Sequence, residues 1–277
     1  MKLKVFVLML VALLFTSGAK AYDFEVKGIY YYILDAEAIT AQVCSGATKY
    51  SGEIVIPANV SYDGADYTVT SIGYGAFSNS SVISVTIPNS VTSIGWNAFY
   101  KCSDLISVTL PNSITSIGRE TFRGCASLTS VTIPSSVSSI EYRAFDNCSS
   151  LTSIKIPNSV TDIGGGVFEY CSCLASVTSL NLTPPICLDS DVFSWIADGC
   201  VIHVPAEAVD AYKTAYVWKN FSYIEGDDTS SIVGIDSDKG ISVKARYDLN
   251  GNPVNAEYRG VVIEVLSDGR KVKRILK

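Results

Sequence analysis

One spacing constrains this chain more than any other property. The segments VISVTIPNSVTSIGWNAFYKCSD from 82, LISVTLPNSITSIGRETFRGCAS from 105, LTSVTIPSSVSSIEYRAFDNCSS from 128 and LTSIKIPNSVTDIGGGVFEYCSC from 151 align without a gap at a period of 23 residues. A degenerate copy precedes them: EIVIPANV, an insertion around YDGADYT, then VTSIGYGAFSNSS. Each copy holds one residue type per apolar role. Leu105, Leu128 and Leu151 form one column; Val108, Val131 and Ile154 the next; then Leu110, Ile133 and Ile156; Ile117, Ile140 and Ile163; and Phe122, Phe145 and Phe168. A single 23-residue unit cannot bury these columns by itself, whereas stacked units share a continuous core at ~4.8 Å per strand.

The pattern inside each unit gives its local structure. The stretch LxSVxI alternates apolar and polar residues, as a strand with one buried face does. The proline that follows lacks an N–H and ends the ladder there. Val-x-x-Ile-Gly reads as a second extended edge and a turn, and Ala-Phe-x-x-Cys as a single helical turn that sends phenylalanine into the core. The expected architecture is a mainly β solenoid with atypical end units and an open, exposed face.

The ends differ in character. Residues 1–21 carry Lys2 and Lys4, an apolar run from Val5 to Phe15 and the small-x-small pattern Ala19-Lys20-Ala21. That is the form of a secretory signal peptide, with an apolar run too short to cross ~30 Å of hydrocarbon. Its removal would take the net charge from −6 to −9, with 18 basic against 27 acidic residues. Such acidity speaks against nucleic acid or anionic lipid as partners. Residues 225–240, EGDDTSSIVGIDSDKG, read as a linker. Residues 241–277 turn basic, with eight Lys/Arg against four Asp/Glu, and hold Asn250-Gly251 and Asp268-Gly269 between β-prone runs, the signature of hairpins.

The pattern L-x-x-V/I-x-I-P-x-S-V-x-x-I-G-x-x-A-F-x-x-C resembles the BspA-like, or treponemal-type, class of leucine-rich repeats. YDFEVKGIYYYIL at 22–34 is similar to the N-terminal cap of such proteins. LTPPICLDSDVF and VIHVPAEAVDAYKTAYVWKNFSYI, within 182–224, are similar to the C-terminal capping unit, with one helix expected over Ala206 to Val217. The tail resembles the ends of secreted Bacteroidetes proteins, some of which act as sorting signals. The resemblance implies a leucine-rich repeat solenoid over 22–224, clearest at 82–173, on an exported, secreted, periplasmic or surface-displayed protein. The better-known members of this class are surface adhesins.

Residues that could support catalysis are few. The chain has one histidine, His203, in the strand-like run VIHVP, where a structural role is the expectation. No G-x-S-x-G elbow accompanies the many serines. Acidic residues fall one or two per repeat at positions expected to be exposed, unlike the opposed carboxylates of a glycosidase. Asp236-Ser237-Asp238-Lys239-Gly240 lacks the later ligands of a calcium loop. Cys102, Cys125, Cys148 and Cys171 share one repeat position. Their side chains would point in parallel, so buried free thiols are expected rather than disulfides or a zinc site. Cys44, Cys173, Cys187 and Cys200 are left unassigned, with a disulfide among the last three open. No cofactor, metal or catalytic residue is expected.

Two sets of positions remain for recognition. One is the polar strand face, with Ser84, Ser107, Ser130 and Ser153 beside Thr86, Thr109, Thr132 and Lys155. The other lies two residues after each Val-x-x-Ile isoleucine: Tyr74, Trp96, Arg119, Tyr142 and then Gly165. Its companions just past each phenylalanine are Ser78, Tyr100, Arg123, Asp146 and Glu169. These columns vary where the core columns do not, and Trp, Tyr and Arg are the residues enriched at binding hot spots. The expectation is a non-enzymatic protein that binds a protein on host or neighbouring cells. A glycan bound through the same aromatics is the alternative, and an exported hydrolase ranks last.

Overall fold

The computed structural model describes residues 22–227 and the strands Val243–Asp248, Gly260–Leu266 and Lys271–Leu276. The expected signal peptide, most of the expected linker and both predicted hairpin dipeptides of the tail lie outside the described residues. Each repeat forms one coil of a stack, and its strands pair in parallel with the same strands of the next coil. Ser116–Ile117, Ser139–Ile140 and Asp162–Ile163 lie side by side, so Ile117 pairs with Ile140 and Ile140 with Ile163. The longer strands form a second parallel ladder. Ser51–Val55, Ser81–Thr86 and Ser107–Thr109 make its start; Ser153–Ile156, Ser176–Ser179, Val201–Pro205 and Tyr223–Asp227 make its end. The Thr132–Lys155 bridge belongs to the same face.

Apolar columns meet at the centre, since a 23-residue step brings each residue back over its equivalent. Phe77, Phe99, Phe122, Phe145, Phe168 and Phe193 stack with centroids 5.0–5.7 Å apart and planes within 11°. Phe193 lies beyond the clear repeats, so the column runs one coil further than the 23-residue period. Parallel stacking stops there: Trp218 meets Phe193 at 58° and Phe221 meets it at 76°. At the other end Tyr50 covers Phe77 at 4.5 Å. These rings close the ends of a core that would otherwise face water.

The turn around each phenylalanine has a particular backbone. Consecutive i→i−3 bonds form it, such as Ala98 N–H to Gly95 O and Cys102 N–H to Phe99 O. The phenylalanine N–H instead reaches the next coil, as from Phe122 to Ala144 O at 2.8 Å. Two positions per coil take left-handed φ. One column is Gly75, Asn97, Glu120, Arg143 and Gly166; the other is Asn79, Lys101, Gly124, Asn147, Tyr170 and Trp195. The glycine of the Ile-Gly pair has a separate cause: a Cβ on Gly164 would lie 2.5 Å from the Tyr142 nitrogen of the preceding coil.

The C-terminal cap carries less helix than its sequence suggests. A 3-10 turn at Ala206–Ala208 leads into an α-helix of six residues, Val209–Thr214. The chain then leaves the helix, and Val217 takes φ +70°. Burial decides this: Tyr212 donates to Ser179 Oγ at 2.6 Å, and Trp218 Nε1 donates to Pro185 O at 2.9 Å. Placing both rings under the last coil requires the break. The tail strands form a three-stranded antiparallel sheet with Gly260–Leu266 at its centre.

Candidate functional site

Four side chains of the variable column stand on the outside of successive coils. Tyr74 is 76% exposed, Trp96 55% and Tyr142 39%, with Arg119 also exposed. Trp96 lies over Gly118, where an added Cβ would sit 3.0 Å from its Cδ1. The Arg119 guanidinium lies 5.0 Å from the Tyr142 ring centroid, and Arg143 lies 5.3 Å from the same ring. The column ends at buried Gly165.

Beside it runs a ladder of ion pairs between coils. Arg123 Nε sits 2.9 Å from Asp146 Oδ2, and its Nη1 lies 3.4 Å from Glu120 Oε1. Arg143 contacts Asp146 at 3.5 Å and Glu169 at 3.0 Å. Arg119 lies 3.7 Å from Glu120. The acidic residues expected to be solvated at the surface therefore include two that are not: Asp146 is 2% exposed and Glu169 9%. Each faces a guanidinium from the neighbouring coil, which makes burial of a carboxylate tolerable. Burial still outweighs these cations and holds the Asp146 carboxyl above its ordinary value. Tyr100 joins the ladder through Lys101, 5.3 Å from its centroid, and Arg123, at 5.9 Å.

The second left-handed column adds an aromatic pair absent from the sequence-based set. Tyr170 and Trp195 stand parallel, 2° apart, with centroids 6.1 Å apart. Their 25-residue spacing lies outside the strict period, which hides them from self-comparison. The strand face is a separate surface. Thr86 pairs with Thr109, Thr132 with Lys155, and all four side chains are exposed.

The remaining candidates have structural surroundings. Cys102, Cys125, Cys148 and Cys171 are fully buried, and each Sγ lies 3.0–3.2 Å from a phenylalanine carbonyl of the preceding coil. Burial pushes the Cys102 thiol to about 11 and Cys171 to about 12. Cys102, Cys125, Cys148, Cys171, Cys173, Cys187 and Cys200 are free thiols, and Cys173 is exposed. His203 Nδ1 lies 3.8 Å from Glu225 Oε2 within the strand ladder. Among the described residues no group of three or more His, Cys, Asp or Glu could hold a metal ion.

A parallel solenoid with one phenylalanine per coil and short strands on two faces defines a leucine-rich repeat protein. Residues 68–194 of the chain match the BspA type leucine rich repeat region in six copies. Among solved structures it is similar to a leucine-rich repeat protein from Bacteroides ovatus, at 27% identity and TM-score 0.52, covering 68% of this chain and 56% of that one. It is likewise similar to the T. pallidum leucine-rich repeat protein, at 27% identity and TM-score 0.51, covering 66% of this chain and 84% of that one. The chain thus spans little more than half of the B. ovatus protein. No curated protein matches it.

Proposed function

We propose that this chain is an exported, non-enzymatic protein that binds other proteins at a cell surface through its repeats. The observation that carries this reading is the stripe Tyr74, Trp96, Arg119 and Tyr142, a run of large side chains exposed at a position with no role in the core. Nothing in the stacking of coils requires aromatic residues there, since Gly165 fills the same position one coil later. Exposed Trp, Tyr and Arg on a rigid scaffold lose little conformational freedom on binding, which suits them to serve as anchors. Among the described residues no helix is long and apolar enough to cross a membrane.

The test is the double variant Trp96→Ala/Tyr142→Ala against surface proteins of neighbouring or host cells. Capture should fall while the far-UV spectrum stays that of the parent. Undiminished capture would remove the stripe from the interface.

A further inference from the structure

The ion-pair ladder has an inside and an outside. The carboxylate side chains of Glu120, Asp146 and Glu169 are 13%, 3% and 11% exposed, whereas the guanidinium side chains of Arg119, Arg123 and Arg143 are 51%, 32% and 26% exposed. A network of balanced formal charge therefore shows water mainly its cations. Exposed Lys101 adds another. These three are the only arginines in residues 22–227, so an acidic chain gathers them on one face of two adjacent coils.

A groove of about 730 Å³ opens beside them. Gly124 makes room for it. In the left-handed column Asn79, Lys101, Asn147, Tyr170 and Trp195 all project side chains, and Gly124 projects none. Tyr170 walls one end. Its ring lies parallel to that of Trp195, and Asn147 lines the groove between Tyr170 and Gly124. Arg123, Arg143 and Lys101 border the groove, and Asn79 and Asn147 offer amide groups.

We propose that this groove binds an anionic saccharide, a sugar ring stacked on Tyr170 with its carboxylate held by Arg123, Arg143 and Lys101. Guanidinium groups already oriented by buried carboxylates lose little freedom when they bind a second anion, and their planar donors match a carboxylate. A flat ring face and several amides suit a hydroxylated ring better than an acidic peptide, which would need cations alone. The groove is a different surface from the Trp96 stripe, although it borders Tyr100 and Arg123, so the two readings fail independently.

The experiment is calorimetric titration of the full mature chain with oligogalacturonate, its neutral methyl ester, sialyllactose and polyglutamate. Gly124→Asn is the informative variant. Asparagine already occupies this left-handed position at Asn79 and Asn147, and an added Cβ lies 3.2 Å from Lys101 Cγ, with the Lys101 backbone in ordinary contact at 3.5 Å and beyond. The variant should keep the parent far-UV spectrum and urea midpoint. At least one carboxylated sugar should bind, less tightly as salt rises, and Gly124→Asn or Tyr170→Ala should weaken it by about tenfold, the loss of one good contact. Binding to oligogalacturonate or to sialyllactose distinguishes uronic from sialic acids. Trp96→Ala should leave saccharide binding as it was, and Gly124→Asn should leave protein capture as it was. Equal affinity for the methyl ester, an unchanged Gly124→Asn, tight polyglutamate binding indifferent to Tyr170→Ala, or no binding of either carboxylated sugar would each overturn the proposal.

Discussion

Replacing Phe122 with alanine removes the central ring of the core stack. Phe122 is fully buried, with Phe99 at 5.3 Å on one face and Phe145 at 5.4 Å on the other. The lost transfer energy of the ring is about 2 kcal/mol. A residual void of roughly 80–100 Å³, at about 24 cal/mol per Å³, adds about 2 kcal/mol more. The neighbours cannot close that void, because each is fixed by its own coil. The total, about 4 kcal/mol, is a large share of the ~5–15 kcal/mol typical of a domain. Each coil contacts only its neighbours, so the weak interface should also let the two halves of the stack unfold separately. Urea titration followed by tryptophan fluorescence and by far-UV circular dichroism should show a lower midpoint and two probes that no longer coincide. Phe122→Leu, which keeps most of the volume, should cost under about 1.5 kcal/mol. If Ala and Leu destabilised equally, or Ala cost less than about 1 kcal/mol, the stack would not be the element that couples the coils.

Thiol chemistry and acid titration probe the same stack from other sides. Of the seven thiols from Cys102 to Cys200 in the folded protein, exposed Cys173 should react promptly with a disulfide reagent, and the other six only after denaturation, because the buried thiols are held protonated. Prompt reaction of several thiols would contradict the sealed column. Asp146 is held above its ordinary value by burial, so the folded state binds its proton more readily than the unfolded state does. That contribution to stability is full below the unfolded value, near 4, and is lost as pH rises through the folded one. The parent should therefore gain in urea midpoint over Asp146→Asn as pH falls from 7 toward 4. A parent that loses ground over that range would reverse the sign.

The core was readable from the chain because each column is a repeated chemical choice. Leu105, Leu128 and Leu151, or Ile117, Ile140 and Ile163, name their own neighbours once the period is known. The caps were readable as units but not in their internal form. The break after Thr214 follows from seating Tyr212 and Trp218 beneath the last coil, and no local propensity in AYKTAYVW signals it. The ion pairs were not readable at all. Asp146 and Glu169 look like solvating residues in sequence, since their partners Arg123 and Arg143 lie one coil away.

That these units stack, in what register, and which residues line the shared core can be read from the chain alone. Periodicity encodes that, because a residue's neighbour in the stack is its own equivalent 23 positions away. The outer surface is set by how the coils meet in three dimensions. Whether Arg123 meets Asp146, whether Tyr170 stands parallel to Trp195, and whether Gly124 leaves a gap all depend on how unlike residues from different coils meet. That meeting is set by the left-handed turns of each coil and the pitch between coils, neither of which any single repeat contains.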